Sequence, residues 1–146
     1  MKKFSIENSL GFIMSRTNSA MRNNLNKTFA ENGHNIKAEQ WGMLNVIKLF
    51  SGQTQIELAE RLGKDRTNVT RMIDVLEREQ LLERKGDSKD RRIYRIYLTD
   101  KGEETIESLI PFVEKVNSES VKGISSEKVI ELKNLLLQIQ KNINKD

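Results

Sequence analysis

The sequence contains no cysteine, and only one histidine (His34), one proline (Pro111) and one tryptophan (Trp41). Without cysteine there can be no disulfide, thiolate metal site, thiol redox sensor or cysteine nucleophile. A lone histidine cannot form a multi-histidine metal site, and the acidic residues do not cluster at calcium-loop spacing. No metal and no other cofactor is therefore expected. Long hydrophobic runs are absent as well. No apolar run exceeds three residues, as at Leu135–Leu137, against the ~20 needed to cross a bilayer. The basic start Met1-Lys2-Lys3 leads into Glu7, Asn8 and Ser9 rather than the apolar stretch of a signal peptide. A cytoplasmic protein without membrane association is expected. The sequence also offers no Gly-rich phosphate loop and no serine or carboxylate constellation with an identifiable base, so it is not expected to be an enzyme.

Hydrophobic residues make up 36% of the 146 positions and aromatics 5%, against 32% charged. That balance suits amphipathic helices with wide solvated faces, part of whose core is completed by a second subunit. The net charge of +4 is localised. Residues 84–95 carry six cations (Arg84, Lys85, Lys89, Arg91, Arg92, Arg95) and two acids (Asp87, Asp90). This segment alone accounts for the charge of the whole chain. A charge run by itself is usually a solvated loop, so its neighbours decide its meaning.

Positions Ile6, Leu10, Ile13, Met14, Thr17, Met21, Leu25 and Phe29 step by threes and fours, which predicts a long amphipathic helix over 5–30. Asn32-Gly33 should end it. A second helix is expected over Ala38–Phe50, with Trp41, Leu44, Ile47 and Phe50 on one stripe. His34, between the two, is expected in a surface loop. Thr54 and Glu57 then form a capping-box pattern ahead of a short helix with Ile56, Ala59 and Leu62 inward and Gly63 as terminus. Asp65 can cap the next helix, whose inward stripe is Val69, Met72, Ile73 and Leu76. Two short capped helices joined by a tight glycine turn form a helix-turn-helix.

Leu81–Lys85 and Ile93–Leu98 read as strands, the second with clear alternation. Between them, Gly86 to Arg92 is polar and turn-rich, so the pair forms a β-hairpin with a basic tip, a wing. The last third is helical: Thr99 caps a helix to about Ser120, which Pro111 should bend or open by one hydrogen bond. Ser125 or Ser126 caps a final helix with a seam of Val129, Leu132, Leu136, Ile139 and Ile143. That narrow seam and the first helix read as a dimer interface.

The fold expected is mainly α with a small β-hairpin wing: a winged helix-turn-helix with long terminal dimerisation helices. Residues 1–35 and 100–146 would form the dimerisation region and 36–99 the DNA-binding region. The start of the second short helix presents Arg66, Thr67, Asn68, Thr70 and Arg71. Arginine suits guanine edges, asparagine adenine, and the threonine methyl thymine, and recognition helices use their first turns in the major groove. Thr54 and Gln55, opening the first short helix, complete the expected contact set on that side. An arginine at the wing tip suits a narrow A·T-rich minor groove, and Asp90 could hold Arg92 by a bidentate bond. Lys89, Arg91 and Arg95 are then expected at phosphates. Spacing alone leaves open which of Arg91 and Arg92 enters the groove.

The Arg66–Arg71 helix start, the pattern Asp87-x-x-Asp90-Arg91-Arg92 and the following Leu98-Thr99-x-x-Gly102 resemble the MarR family of transcriptional regulators over nearly the whole chain. The resemblance implies a homodimer that binds pseudo-palindromic operators in double-stranded DNA through two winged lobes, expected here to act as a repressor. It also implies that Asp90 orients Arg92 as the minor-groove residue. Many members release DNA on binding a small phenolic, anionic or lipophilic ligand, for which Phe12, Arg16, Trp41, Leu44 and Met72 are the residues expected to line a cleft. The alternative is a winged-helix protein-interaction module without its own operator, working through Asp74, Glu77, Glu79 and Glu83.

Overall fold

The computed structural model describes residues 3–144; the two outermost residues at each end of the expected dimerisation region lie outside the described residues. Six helices and three strands follow in the order α1 (Leu10–Glu31), α2 (Ala38–Leu49), β1 (Gln53–Thr54), α3 (Gln55–Leu62), α4 (Arg66–Arg78), β2 (Leu82–Gly86), β3 (Tyr94–Leu98), α5 (Asp100–Ser120) and α6 (Ser126–Ile143). The first helix is shorter than its periodicity suggests. A 3₁₀ turn at Ile6–Asn8 precedes it, and Ser9 is extended. The Ser9 hydroxyl donates to the Ile6 carbonyl at 2.9 Å, the kind of local bond that competes with helix continuation.

Local caps define the helix-turn-helix. The Thr54 hydroxyl accepts from the Glu57 amide at 3.3 Å, and the Glu57 carboxylate accepts from the Thr54 amide at 3.0 Å. Gly63, at φ +60°, takes the left-handed conformation that ends α3, where a Cβ would be strained. Asp65 then caps α4 by accepting from the Asn68 amide at 2.9 Å. The inward face of α3 differs from the expected one: Leu58 and Ala59 are buried with Leu62 packed beside them, whereas Ile56 is 48% exposed. At 100° per residue Ile56 lies 200° from Leu58, so both cannot face the core. On α4, Val69, Ile73 and Leu76 are buried and Met72 only partly so.

The wing is one strand larger than the expected hairpin. The strands are antiparallel in the order β1-β3-β2, with Gln53 opposite Ile96 and Thr54 opposite Arg95. A two-residue strand leaves no periodic trace. Phe29, Met43, Leu44, Ile47, Leu58, Val69, Ile73, Leu76, Leu82 and Ile96 form one core that continues into α5 through Ile106 and Leu109. Helix α5 runs unbroken through Pro111. Its start is docked onto the turn after α4, where the Leu81 carbonyl accepts from the Thr99 amide at 3.2 Å. Gly102 lies against that same carbonyl, leaving no room for a Cβ. Helix α6 buries no residue within the chain. No helix of the described residues is long and apolar enough to cross a membrane.

Candidate nucleic-acid interface

Helix α4 stands on Val69, Ile73 and Leu76. Helical geometry then places Thr67, Arg71, Asp74 and Arg78 on the opposite stripe. Arg66, Thr67, Asn68, Thr70 and Arg71 are all exposed, so the expected reading residues share an open surface at the start of the helix. Their freedom differs. Thr67 makes no side-chain hydrogen bond among the described residues, whereas the Thr70 hydroxyl donates to the Arg66 carbonyl at 2.9 Å. Asn68 donates one amide hydrogen to Asp65 Oδ2 at 2.8 Å. It sits on the flank toward α2, in a concavity of about 400 Å³ shared with Lys37, Lys64, Arg71 and Met72. The Thr54 hydroxyl is engaged in its cap, and the Gln55 Nε2 is buried without a hydrogen-bond partner.

At the wing, Asp90 Oδ1 accepts from the Arg92 amide at 3.0 Å and from its Nε at 3.2 Å, while Oδ2 accepts from Nη2 at 3.3 Å. The guanidinium is thus held as a fork although the Arg92 side chain is 90% exposed. Hydrogen bonds from Arg92 hold the Asp90 carboxyl below the usual carboxylate range. Lys89 and Arg91 beside it are exposed and form no ion pair among the described residues.

Asp87 organises the base of this loop, a role with no signature beyond its place in the motif. Its Oδ2 accepts from the Lys89 and Asp90 amides at 3.1 and 3.0 Å, and its Oδ1 accepts from Arg95 Nε at 2.8 Å. The same guanidinium donates to the Gly52 carbonyl at 3.0 Å. Asp87 is held below its usual range, first by Arg95 and then by the Lys89 amide. Arg95, expected at a phosphate, is turned instead toward Asp87 and the β1 end of the sheet. Arg84, another cation of the basic run, is paired with Asp74 and Glu77 of α4. Lys85 pairs with Glu83 at 3.3 Å and lies over the Tyr97 ring. The exposed, unpaired cations of this surface are therefore Arg66, Arg71, Arg78, Lys89 and Arg91, with Arg92 presented by Asp90.

The five residues expected around a ligand are not brought together. Phe12 and Arg16 share one concavity on α1 with the guanidinium 5.8 Å from the ring centroid. Trp41 lines another, of about 360 Å³, between α1, α2 and α5. Met72 lines the concavity beside Asn68. Leu44 is fully buried in the core and lines none of them, because the α2 stripe that carries it is the one packed on the sheet and α5. The Trp41 concavity also holds Arg22, Glu39 and Lys64: Glu39 Oε1 accepts from Arg22 at 3.0 Å and from Lys64 at 3.4 Å. The Trp41 Nε1–H is buried with no hydrogen-bond partner. His34 lies in the α1–α2 loop, half-buried against Phe112 with ring centroids 5.4 Å apart. No group of three or more metal-ligating side chains occurs among the described residues.

The MarR family model matches residues 34–93, the segment holding α2 to the wing. Among solved structures, a mutant of E. coli MarR complexed with operator DNA is 26% identical, with a TM-score of 0.84, over 95% of this chain and 99% of that one. The apo form of wild-type E. coli MarR is also 26% identical, with a TM-score of 0.76, over 90% and 96%. Bordetella bronchiseptica BpsR, whose DNA binding is regulated by 6-hydroxynicotinic acid, superposes at 0.85 over 96% and 99% at 18% identity, a likeness of fold. The family match falls on the helix-turn-helix and wing, and the superposition extends over both flanking helical regions, so this chain has the winged-helix fold of MarR-family regulators.

Proposed function

We propose that this DNA-binding transcriptional regulator works as a homodimeric repressor. Arg66, Thr67, Asn68, Thr70 and Arg71 enter the major groove, and Arg92 enters an adjacent minor groove. Lys89 and Arg91 meet phosphates. The observation that carries this reading is the Asp90–Arg92 fork: an almost fully exposed guanidinium held in one pose by a carboxylate is preorganised for a partner outside the protein. The whole chain superposes better on the operator-bound relative than on the apo one, which supports a chain conformation like that of the DNA-bound relative. Residues 36–99 form the reading lobe, while 1–35 and 100–146 form the dimerisation region. Exposed Ile6, Leu10 and Ile13 on one side and the α6 seam with its exposed Leu132 and Ile143 on the other are what a second copy would cover. A protein-interaction surface through the acidic set is less favoured, because Asp74, Glu77 and Glu83 are already paired with Arg84 and Lys85.

The test is fluorescence anisotropy with a duplex from upstream of the protein's own gene, against a scrambled duplex of equal length. Specific binding that Arg92→Ala weakens about tenfold or more, with the dimer intact, is the expected result; discrimination by one good contact is worth roughly 1–3 kcal/mol. Equal binding by wild type and Arg92→Ala would remove the wing assignment.

A small aromatic carboxylate is the ligand that the Trp41 concavity favours, because it is lined by Trp41, two cations sharing one carboxylate, and the apolar walls of Met21, Leu25 and Val116. Titration of benzoate should quench the fluorescence of the sole tryptophan and release the duplex. Release without quenching would place the effector elsewhere.

A further inference from the structure

Arg84 is a cation of the basic run by sequence and an internal strut by geometry. The hairpin register sets Arg84 opposite Ile96, so its side chain emerges on the sheet face that also carries the buried Leu82 and Ile96. A charge directed there needs partners, and α4 supplies two. Arg84 Nη1 donates to Glu77 Oε1 at 2.7 Å, its backbone N–H donates to Glu77 Oε2 at 3.0 Å, and Nη2 donates to Asp74 Oδ1. The side chain is only 19% exposed, the least of any cation paired in the wing or on α4. Apolar contact between α4 and the sheet is non-directional and does not fix an angle. A guanidinium fork gripping two carboxylates one helical turn apart does.

The clamp joins the two parts of the protein that would enter different grooves. Asp74 belongs to the outward stripe of α4 with Thr67, Arg71 and Arg78, and β2 is the stalk from which the loop carrying Arg92 is hung. We propose that Arg84 is a positioning residue that sets the separation between the major-groove helix and Arg92. It thereby sets the spacing between the major-groove base pairs and the flanking A·T minor groove that the protein accepts. Arg84 itself touches no DNA. The proposal rests on the DNA-binding reading above.

The probe is the tightest duplex that the wild-type protein selects from a random-sequence pool, with affinity measured at several salt concentrations. Arg84→Lys keeps the charge and removes the fork. It should bind about tenfold more weakly with an unchanged log–log salt slope. Arg92→Ala should then cost at least about threefold less in the Arg84→Lys background than in wild type, because positioned and positioner are coupled. Glu77→Gln, which spares the guanidinium, should reproduce the loss and the coupling and serves if Arg84→Lys folds poorly.

Wild-type affinity in both variants would overturn the proposal, as would losses that simply multiply with that of Arg92→Ala. A slope lowered by roughly 1.8, one phosphate contact in each lobe of the dimer, in Arg84→Gln would overturn it too, by making Arg84 a phosphate contact. These outcomes leave the DNA-binding reading standing. A wild-type protein that enriches no duplex from the pool would remove both.

Discussion

Asp87 and Asp90 lie three positions apart and serve different arginines. Asp90 presents Arg92 outward; Asp87 draws Arg95 inward and ties the loop's own amides. The Asp90 pairing is legible from spacing because both residues sit in one turn. The Asp87–Arg95 pairing is not, because it needs the hairpin closed so that β3 returns Arg95 past the loop. Because the folded pKa of Asp87 is lowered, its contribution is complete above the unfolded value of about 3.9. It is lost as pH falls through the lower folded value. The Lys89 and Asp90 amide resonances should therefore titrate with a midpoint below about pH 3.9, and a midpoint above it would show that the Arg95 pairing is absent in solution. Gly102 is a second case. Its place in the Leu-Thr-x-x-Gly pattern is explained by the Leu81 carbonyl pressed against its Cα. A Gly102→Ala chain must move a backbone group, so thermal melting should show a loss of about 1–3 kcal/mol.

At the scale of elements, the caps and the 3.6-residue period place five of the six helices closely, because caps and periodicity are local. The departures are where the tertiary fold chooses. Helix α1 starts late, only after Ser9, the α3 face turns so that Leu58 rather than Ile56 is buried, and β1 exists only because β3 passes beside it. The expected ligand residues scatter over α1, α2 and α4 for the same reason: period identifies a stripe without saying what covers it. Glu39 joins three elements at one oxygen, tying α1 through Arg22 and the α3–α4 turn through Lys64. Helix α6 is the opposite case, an amphipathic element with nothing buried in its own chain. Leu132→Asp on its exposed face should shift the protein to monomer in analytical ultracentrifugation at micromolar concentration. It should leave the melting of the winged lobe in place, because Leu132 is outside that core. An unchanged dimer would place the interface elsewhere.

For the whole molecule, the basic run turns out smaller in its outward effect than its count. Arg84 and Arg95 face internal carboxylates, so the cations left for a polyanion on these elements are Arg66, Arg71 and Arg78 on α4 and Lys89, Arg91 and Arg92 on the wing. Six such contacts per lobe set an upper limit of about 11 for the log–log salt slope of a dimer on B-DNA, at roughly 0.9 per neutralised phosphate. A steeper measured slope would mean phosphate contacts beyond this set. A dimer of such lobes should also protect two half-sites about 34–36 Å apart, which hydroxyl-radical footprinting reads directly. The sequence by itself determined the class of fold, the order of its helices and of the hairpin strands, the exposed face of α4 and the Asp90–Arg92 pair. Each of these depends on residues within a turn or two of one another, where covalent geometry limits the outcome. Only the tertiary structure decided which cations remain free, that Arg84 belongs to α4 and Arg95 to Asp87, and that Leu44 is core. Those outcomes depend on strand register and on which faces meet, and neither is written in any short window of the chain.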